Sequence, residues 1–333
     1  MRLLKLFLVL LVIAGAALFA AYTYWQSRLD APVSLEEPTL YEVPRGASFN
    51  RVMADLDERG FIADDWPFRL LAVFARDELP PLRAGEFRLE PGMSGRELVE
   101  LLSSDNVVTY SLTVPEGLTF AEMRDVLNEA PKLTHLTEGL SGQEIMAKLG
   151  HPEQHPEGRF FPDTYQYHKG VTDIELLRQA YERMHNELAE VWAARNDGLP
   201  FDSAYEALIM ASLIERETGF DGERRRIAGV FVRRLEKGMR LQTDPTVIYG
   251  LGEDFDGNLT RADLRRPTAY NTYVIDGLPP TPIALPGRAA LEAAVNPAEG
   301  DALYFVAKGD GSHHFSNTLS EHNAAVRRYI LDQ

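Results

Sequence analysis

The sequence predicts an α+β protein in three parts: an N-terminal transmembrane helix, a small first module and a larger mixed α/β domain. Three observations carry this. A charge-free apolar run extends from Leu6 to Ser27. Between Tyr41 and Glu122 a strand, a Pro-Gly turn and a Ser- or Thr-capped helix recur three times. From Asp173 onward helical periodicities alternate with loops rich in Pro and Tyr. With 333 residues, 45% of them apolar, the chain can bury the cores of two folded units beside an anchor. The expected boundaries are 1–30 for the cytoplasmic tip and anchor, 31–40 for a tether, 41–110 for the first module and 111–333 for the large domain.

The apolar run has about the ~20 residues needed to span a bilayer. Arg2 and Lys5 precede it, which by the positive-inside rule keeps the N-terminus cytoplasmic. Tyr22, Tyr24 and Trp25 fall where an outer aromatic belt would lie. Ala14-Gly15-Ala16 fits a signal-peptidase site, but the apolar run continues past it, so an uncleaved anchor is expected. Residues 31–40, with Pro32, Glu36, Glu37 and Pro38, read as a polar tether. The first recurrence is Tyr41 to Ser48, followed by a helix with Val52, Met53 and Leu56 on one face, ended by Gly60. In the second, Ser94 and Glu97 form a capping box; in the third, Thr119 and Glu122 do. Asp173 to Ala193 is a helix with Leu176, Leu177, Ala180, Met184 and Leu188 at helical spacing. Tyr205 to Thr218 is a second. Arg224 to Lys237 is a third, with Ile227, Val230, Phe231 and Leu235 inward and Gly238 closing it. Beyond it come loops, one strand at Leu303 to Ala307, and a last helix from Ser320 to Leu331.

Composition removes several functions. A formal charge of −16 argues against nucleic acid, whose binding requires Lys and Arg to neutralise phosphates. It also argues against polybasic attraction to anionic lipid. With no cysteine there is no disulfide, thiolate nucleophile, lipoprotein acylation or thiolate metal site. No Gly-rich stretch has the pattern of a phosphate-cradling loop or dinucleotide fingerprint. No cofactor is expected. His313, His314 and His322 have no acid at a recognisable ligand spacing, so no metal is assigned to them.

The chemistry concentrates at Ala211-Ser212-Leu213-Ile214-Glu215-Arg216-Glu217-Thr218. At about 100° per residue Glu215 shares a face with Leu208, Ala211 and Ser212, while Glu217 falls roughly opposite, beside Glu206 and Met210. A carboxyl among small and apolar side chains keeps its proton nearer neutrality, as a general acid requires. The competing reading is a salt bridge from Glu215 to Arg224, Arg225 or Arg226. Downstream, Gln242, Thr243, Asp244, Tyr249, Tyr270, Asn271 and Tyr273 combine aromatic faces with amides and hydroxyls, a composition that suits a carbohydrate cleft. His314 and Asn323 are added as candidate cleft residues.

The ordered blocks Gly238 to Gly250, Pro267 to Tyr273, Gly277 to Ile283, Asn296-Pro297, Leu303 to Ala307, and His314-Phe315-Ser316 with Glu321-His322-Asn323 resemble the endolytic murein transglycosylase, or YceG-like, family from about Tyr41 to the C-terminus. The resemblance implies a peptidoglycan lytic transglycosylase that cleaves the bond between N-acetylmuramic acid and N-acetylglucosamine and leaves 1,6-anhydro ends. It implies a single catalytic carboxyl in the helix-end Glu-x-Glu-Thr segment, read as its first acid, Glu215, acting as acid and then as base. It also implies action on nascent strands near the inner membrane, which would terminate their elongation, with the catalytic domain on the periplasmic side and membrane-bound peptidoglycan synthases as partners. Two other readings stay open: a two-carboxylate muramidase, for which Glu217, Glu223 and Asp244 are candidate second acids, and a non-catalytic glycan-binding scaffold.

The first recurrence, through Val43, Gly46, Ser48, Val52, Leu56, Gly60 and Ile62, resembles a LysM module, a strand–helix–helix–strand glycan-binding unit. A packing module without glycan affinity would show the same positions.

Overall fold

The computed structural model describes residues 2–75, 79–220 and 222–331. The chain is mixed α/β and forms two compact units, one of residues 1–110 with 168–170 and one of 111–167 with 171–333.

The first unit opens with α1 (Arg2–Leu29), the one helix among the described residues long and apolar enough to cross a membrane. Its C-terminal end is not free. Leu29 is fully buried, and the Trp25 indole donates to the Pro67 carbonyl at 2.9 Å, so this end of the helix packs on the rest of the unit. Nor is 31–40 a loose tether: Val33 is buried and its N–H bonds the Met93 carbonyl at 2.8 Å. The order then runs β1 (Thr39–Val43), α2 (Phe49–Glu58), α3 (Trp66–Phe74), β2 (Gly85–Leu89) and α4 (Gly95–Ser103). β1 and β2 pair antiparallel with Tyr41 opposite Phe87. Strand alternation sends Tyr41, Val43, Phe87 and Leu89 inward, where they meet Val52, Met53 and Leu56 of α2 and Leu98 and Leu102 of α4. Ser48 caps α2, and Ser94 with Glu97 closes a capping box on α4.

The second unit contains β3 (Thr109–Thr113, from Ser111), α5 (Phe120–Asn128), α6 (Gly142–Leu149), β4 (Thr164–His168, to Tyr167), α7 (Asp173–Ala193), α8 (Ala204–Glu217), α9 (Arg224–Glu236), α10 (Asp244–Leu251), α11 (Arg288–Val295), β5 (Tyr304–Ala307), β6 (His313–Ser316) and α12 (Leu319–Val326), which runs on as a π-helical turn, Arg327–Leu331. Its core is α8, buried from Ala207 to Ile214, against α7, α9 and α11. Ser212 ties α8 to the loop before α11: its hydroxyl donates to Ile209 O at 2.7 Å and accepts from Ile283 N–H at 3.0 Å. Thr218, in extended conformation, stops α8 and leaves its last acids at the edge of the core.

Three elements depart from the sequence reading. Residues 313–316, where no strand was expected, form β6 and pair antiparallel with β5. The stretch expected as loops holds α10 and α11. Each has only eight residues, too short for a clear helical period, and each is held by tertiary packing.

Candidate active site

A cleft of about 600 Å³ opens where α8 ends, within the size of small-ligand sites. Glu217 enters it from α8, Gln242 from the segment leading into α10, Asp244 from the first turn of α10, Tyr273 from the following loop, Tyr304 and His313 from the β5–β6 hairpin, and His322 and Asn323 from α12. The floor is braced by Arg234, whose guanidinium donates to Leu303 O at 2.7 Å, Arg240 O at 3.1 Å and Leu241 O at 2.9 Å. Tyr304 lies over that guanidinium at 5.0 Å, and His322 stacks on Tyr304 at 5.3 Å.

Asp244 and Glu217 both line the cleft, and the carboxyl of Glu217 is raised. Burial pushes its carboxyl up to about 7, a hydrogen bond from the Thr243 hydroxyl opposes this, and the Asp244 charge adds to it. Thr243 is itself buried and positioned by Thr272, whose hydroxyl accepts the Thr243 N–H at 3.0 Å. Gln242 has φ +52°, the one positive value outside glycine among the described residues. A left-handed Gln beside an acid is the kind of local strain that collects at functional sites. The Tyr273 hydroxyl donates to Asp244 at 2.6 Å.

Glu215 occupies a different place. Its side chain is 5% exposed, it accepts the Gly287 N–H at 3.0 Å, and Arg224 lies 3.6 Å away. Burial raises its carboxyl, the Gly287 bond opposes the rise, the neighbouring Glu116 raises it further, and Arg224 lowers it. Glu116 lies so close over Gly287 that a Cβ there would collide with its carboxylate. The arginine pairing and the raised carboxyl, opposed as readings of the sequence, thus occur together.

The expected cleft residues divide. Gln242, Asp244, Tyr273 and Asn323 line the cleft with Glu217, and Thr243 supports it from behind. Asn271 does not fit a substrate contact: it is fully buried, and its amide donates to the carbonyls of Asp263, Leu264 and Arg266, holding that turn together. The hydroxyl of Tyr249 donates to Glu157 and that of Tyr270 bonds Thr281, each at 2.9 Å, and both rings pack against the core of the unit. His314 alternates away from its neighbour in β6 and packs near Tyr329 at 5.6 Å, while His313 faces the cleft. Among the described residues no group of three or more His, Asp or Glu side chains could hold a metal ion.

A model of the YceG-like family matches residues 41–328, most of the chain. The chain belongs to the YceG-like family. A Bacillus subtilis protein named endolytic murein transglycosylase is 31% identical over 346 residues, spanning 96% of this chain and 91% of its own length. A Streptococcus pneumoniae protein of the same name is 25% identical, spanning 97% of this chain and 64% of its own. A 2.6 Å crystal structure of a YceG-like protein from Listeria monocytogenes is 31% identical, with a TM-score of 0.53 over 87% of this chain and all of that one.

Sequence reasoning missed Arg234, Tyr304, Glu116 and the cleft-facing role of His313. Arg234 had a signal: it falls seven residues after Ile227 and three after Phe231, so a cation sits in the apolar stripe of its helix. Glu116 had none, since its proximity to Glu215 depends on how distant segments pack.

Proposed function

We propose that this chain is a lytic transglycosylase of peptidoglycan whose general acid is Glu217. The class of enzyme rests on family membership and on the name its relatives carry. The single observation behind the acid is that Glu217 lines the cleft with a carboxyl pushed up to about 7, so that near neutral pH it holds a proton to give. It would protonate the oxygen between N-acetylmuramic acid and N-acetylglucosamine. The muramoyl 6-hydroxyl would then close on its own anomeric carbon, giving a 1,6-anhydro end without consuming water. Gln242, Asp244, Tyr273 and Asn323 are the proposed sugar contacts, with Tyr304 and His322 offering flat faces for pyranose rings. Glu215, the acid favoured by the sequence, is the rival assignment, supported by its own raised carboxyl.

The remaining context belongs to the same proposal. α1 would anchor the chain with its N-terminus in the cytoplasm and everything after α1 on the periplasmic side, so that cutting is endolytic and confined to nascent strands near the membrane-bound synthases that make them. The first unit, with its β1–α2–α3–β2 order, would guide glycan as a LysM-like module does. A muramidase reading is favoured by one observation, the presence of a second carboxylate, Asp244, in the cleft. Mass analysis of the products released from sacculi tests the proposal: anhydro ends support it, reducing ends favour the muramidase, and absence of cleavage leaves a glycan-binding scaffold.

A further inference from the structure

We propose that Glu223 and His313 form a dyad that receives the proton of the muramoyl 6-hydroxyl during ring closure. This rests on the assignment of the cleft to a transglycosylase and replaces the expectation that one carboxyl serves both halves of the reaction.

His313 begins β6 and lines the same cleft as Glu217. Its Nδ1 lies 2.8 Å from Glu223 Oε2, and its backbone N–H points at both carboxylate oxygens, at 3.1 and 3.0 Å. Both side chains are nearly enclosed, 10% exposed for His313 and 6% for Glu223. An ionised carboxylate only accepts hydrogen bonds, so the proton of a neutral His313 ring sits on Nδ1 and leaves Nε2 with a lone pair. The arrangement fixes tautomer and orientation together, and the buried charge of Glu223 stabilises the imidazolium that forms when Nε2 takes a proton. Phe305 meets the ring edge-on at 5.4 Å and Phe315 at 6.5 Å, so the imidazole is walled in place. The other titratable groups of the cleft are less suited: Asp244 already accepts from Tyr273, and the buried Nδ1 of His322 has no hydrogen-bond partner among the described residues to set its tautomer.

The step balances. The Glu217 proton passes to the departing glycosidic oxygen as the C1–O bond breaks. The muramoyl O6 forms a bond to C1, and its proton passes to His313 Nε2. Glu217 is left as carboxylate and His313 as imidazolium, and a proton moves between them through cleft solvent before the next turnover. No other reactant is needed.

The full-length chain in detergent, acting on purified sacculi with mass analysis of the ends, tests the dyad. His313→Gln should slow cleavage by about 10²–10⁴-fold while still cutting, and a substantial fraction of ends should become reducing, because water competes once the 6-hydroxyl lacks its base. Glu223→Gln keeps an acceptor for Nδ1 but removes the charge, so it should show a smaller loss and a smaller reducing fraction. Wild-type rate in His313→Gln overturns the dyad. So does a slow variant with only anhydro ends, which is what a purely structural role gives, and so does complete loss of cleavage in both folded variants. Glu217→Gln distinguishes the underlying reading: if it still cleaves at near wild-type rate, the acid assignment has failed, whatever the histidine variants do.

Discussion

Two carboxylates leave the end of α8 two residues apart, and the fold gives them opposite surroundings. Glu215 faces inward onto Gly287, Arg224 and Glu116, and its charge is met by a guanidinium and a backbone N–H. Glu217 faces the cleft, where a threonine hydroxyl is its hydrogen-bond donor and the nearby charge is the like charge of Asp244. Burial raises both carboxyls. What separates them is the answering charge and the space for a sugar. Burial next to a cation makes a buried ion pair, in which removing one partner is costly; burial next to another acid makes a group that holds its proton until a leaving oxygen takes it.

The largest effect that sharpens this contrast is on rate. Glu217→Gln should lower anhydro-product release by at least 10³-fold, toward the upper end of what general acid catalysis supplies, roughly 10²–10⁴-fold, whereas Glu215→Gln should lose far less. A near wild-type rate in Glu217→Gln would break the comparison. Next comes stability. Arg224→Met leaves Glu215 buried without its cation and should cost about 3–5 kcal/mol in chemical denaturation; a loss below 1 kcal/mol would mean that Glu116 and Glu215 share a proton and do not need the arginine.

A third effect extends the contrast to Glu157, a buried acid that does not line the cleft. It accepts from Phe120 N–H and the Tyr249 hydroxyl, each at 2.9 Å, and burial pushes it up to about 7. Because its folded value exceeds its ordinary 4.5, the folded state keeps a proton the unfolded chain has lost. Stability therefore falls as pH rises from about 4.5 toward 7, by roughly 3 kcal/mol once pH 8 is reached. Glu157→Gln should flatten that slope in denaturation series at pH 5 and pH 8, and an unchanged slope would place the titration elsewhere. The smallest effect concerns Asp244. Its charge helps to raise Glu217, so Asp244→Asn should move the basic limb of the pH–rate profile to lower pH and cut the rate at pH 8 several-fold. A limb that stays put would show that burial alone sets the acid.

Much of the scaffold was legible because it is written in local chemistry. The caps at Ser94 and Thr119, the buried stripe of Asp173 to Ala193 and the apolar run of α8 depend on residues within a turn or two of one another. The eight-residue helices α10 and α11 were not legible, because tertiary packing stabilises them and their own pattern does not. The same limit governs the site. The helical wheel separated Glu215 from Glu217 correctly as faces. It could not show that the enclosure on the Glu215 side is filled by Gly287 and Arg224, from segments far along the chain, or that the β5–β6 hairpin brings His313 to the Glu217 side. Asn271 misled for the opposite reason: a polar loop residue is as suited to bonding three carbonyls of its own turn as to bonding a sugar.

The most direct test of the central claim is the pH–rate profile of Glu215→Gln on purified sacculi, scored by anhydro ends. With Glu217 as the acid, this variant stays active, and its rate falls tenfold per unit as pH rises above about 7, where Glu217 loses its proton. An inactive but folded Glu215→Gln, or an active one whose basic limb near 7 has vanished, would contradict the account and return the chemistry to Glu215.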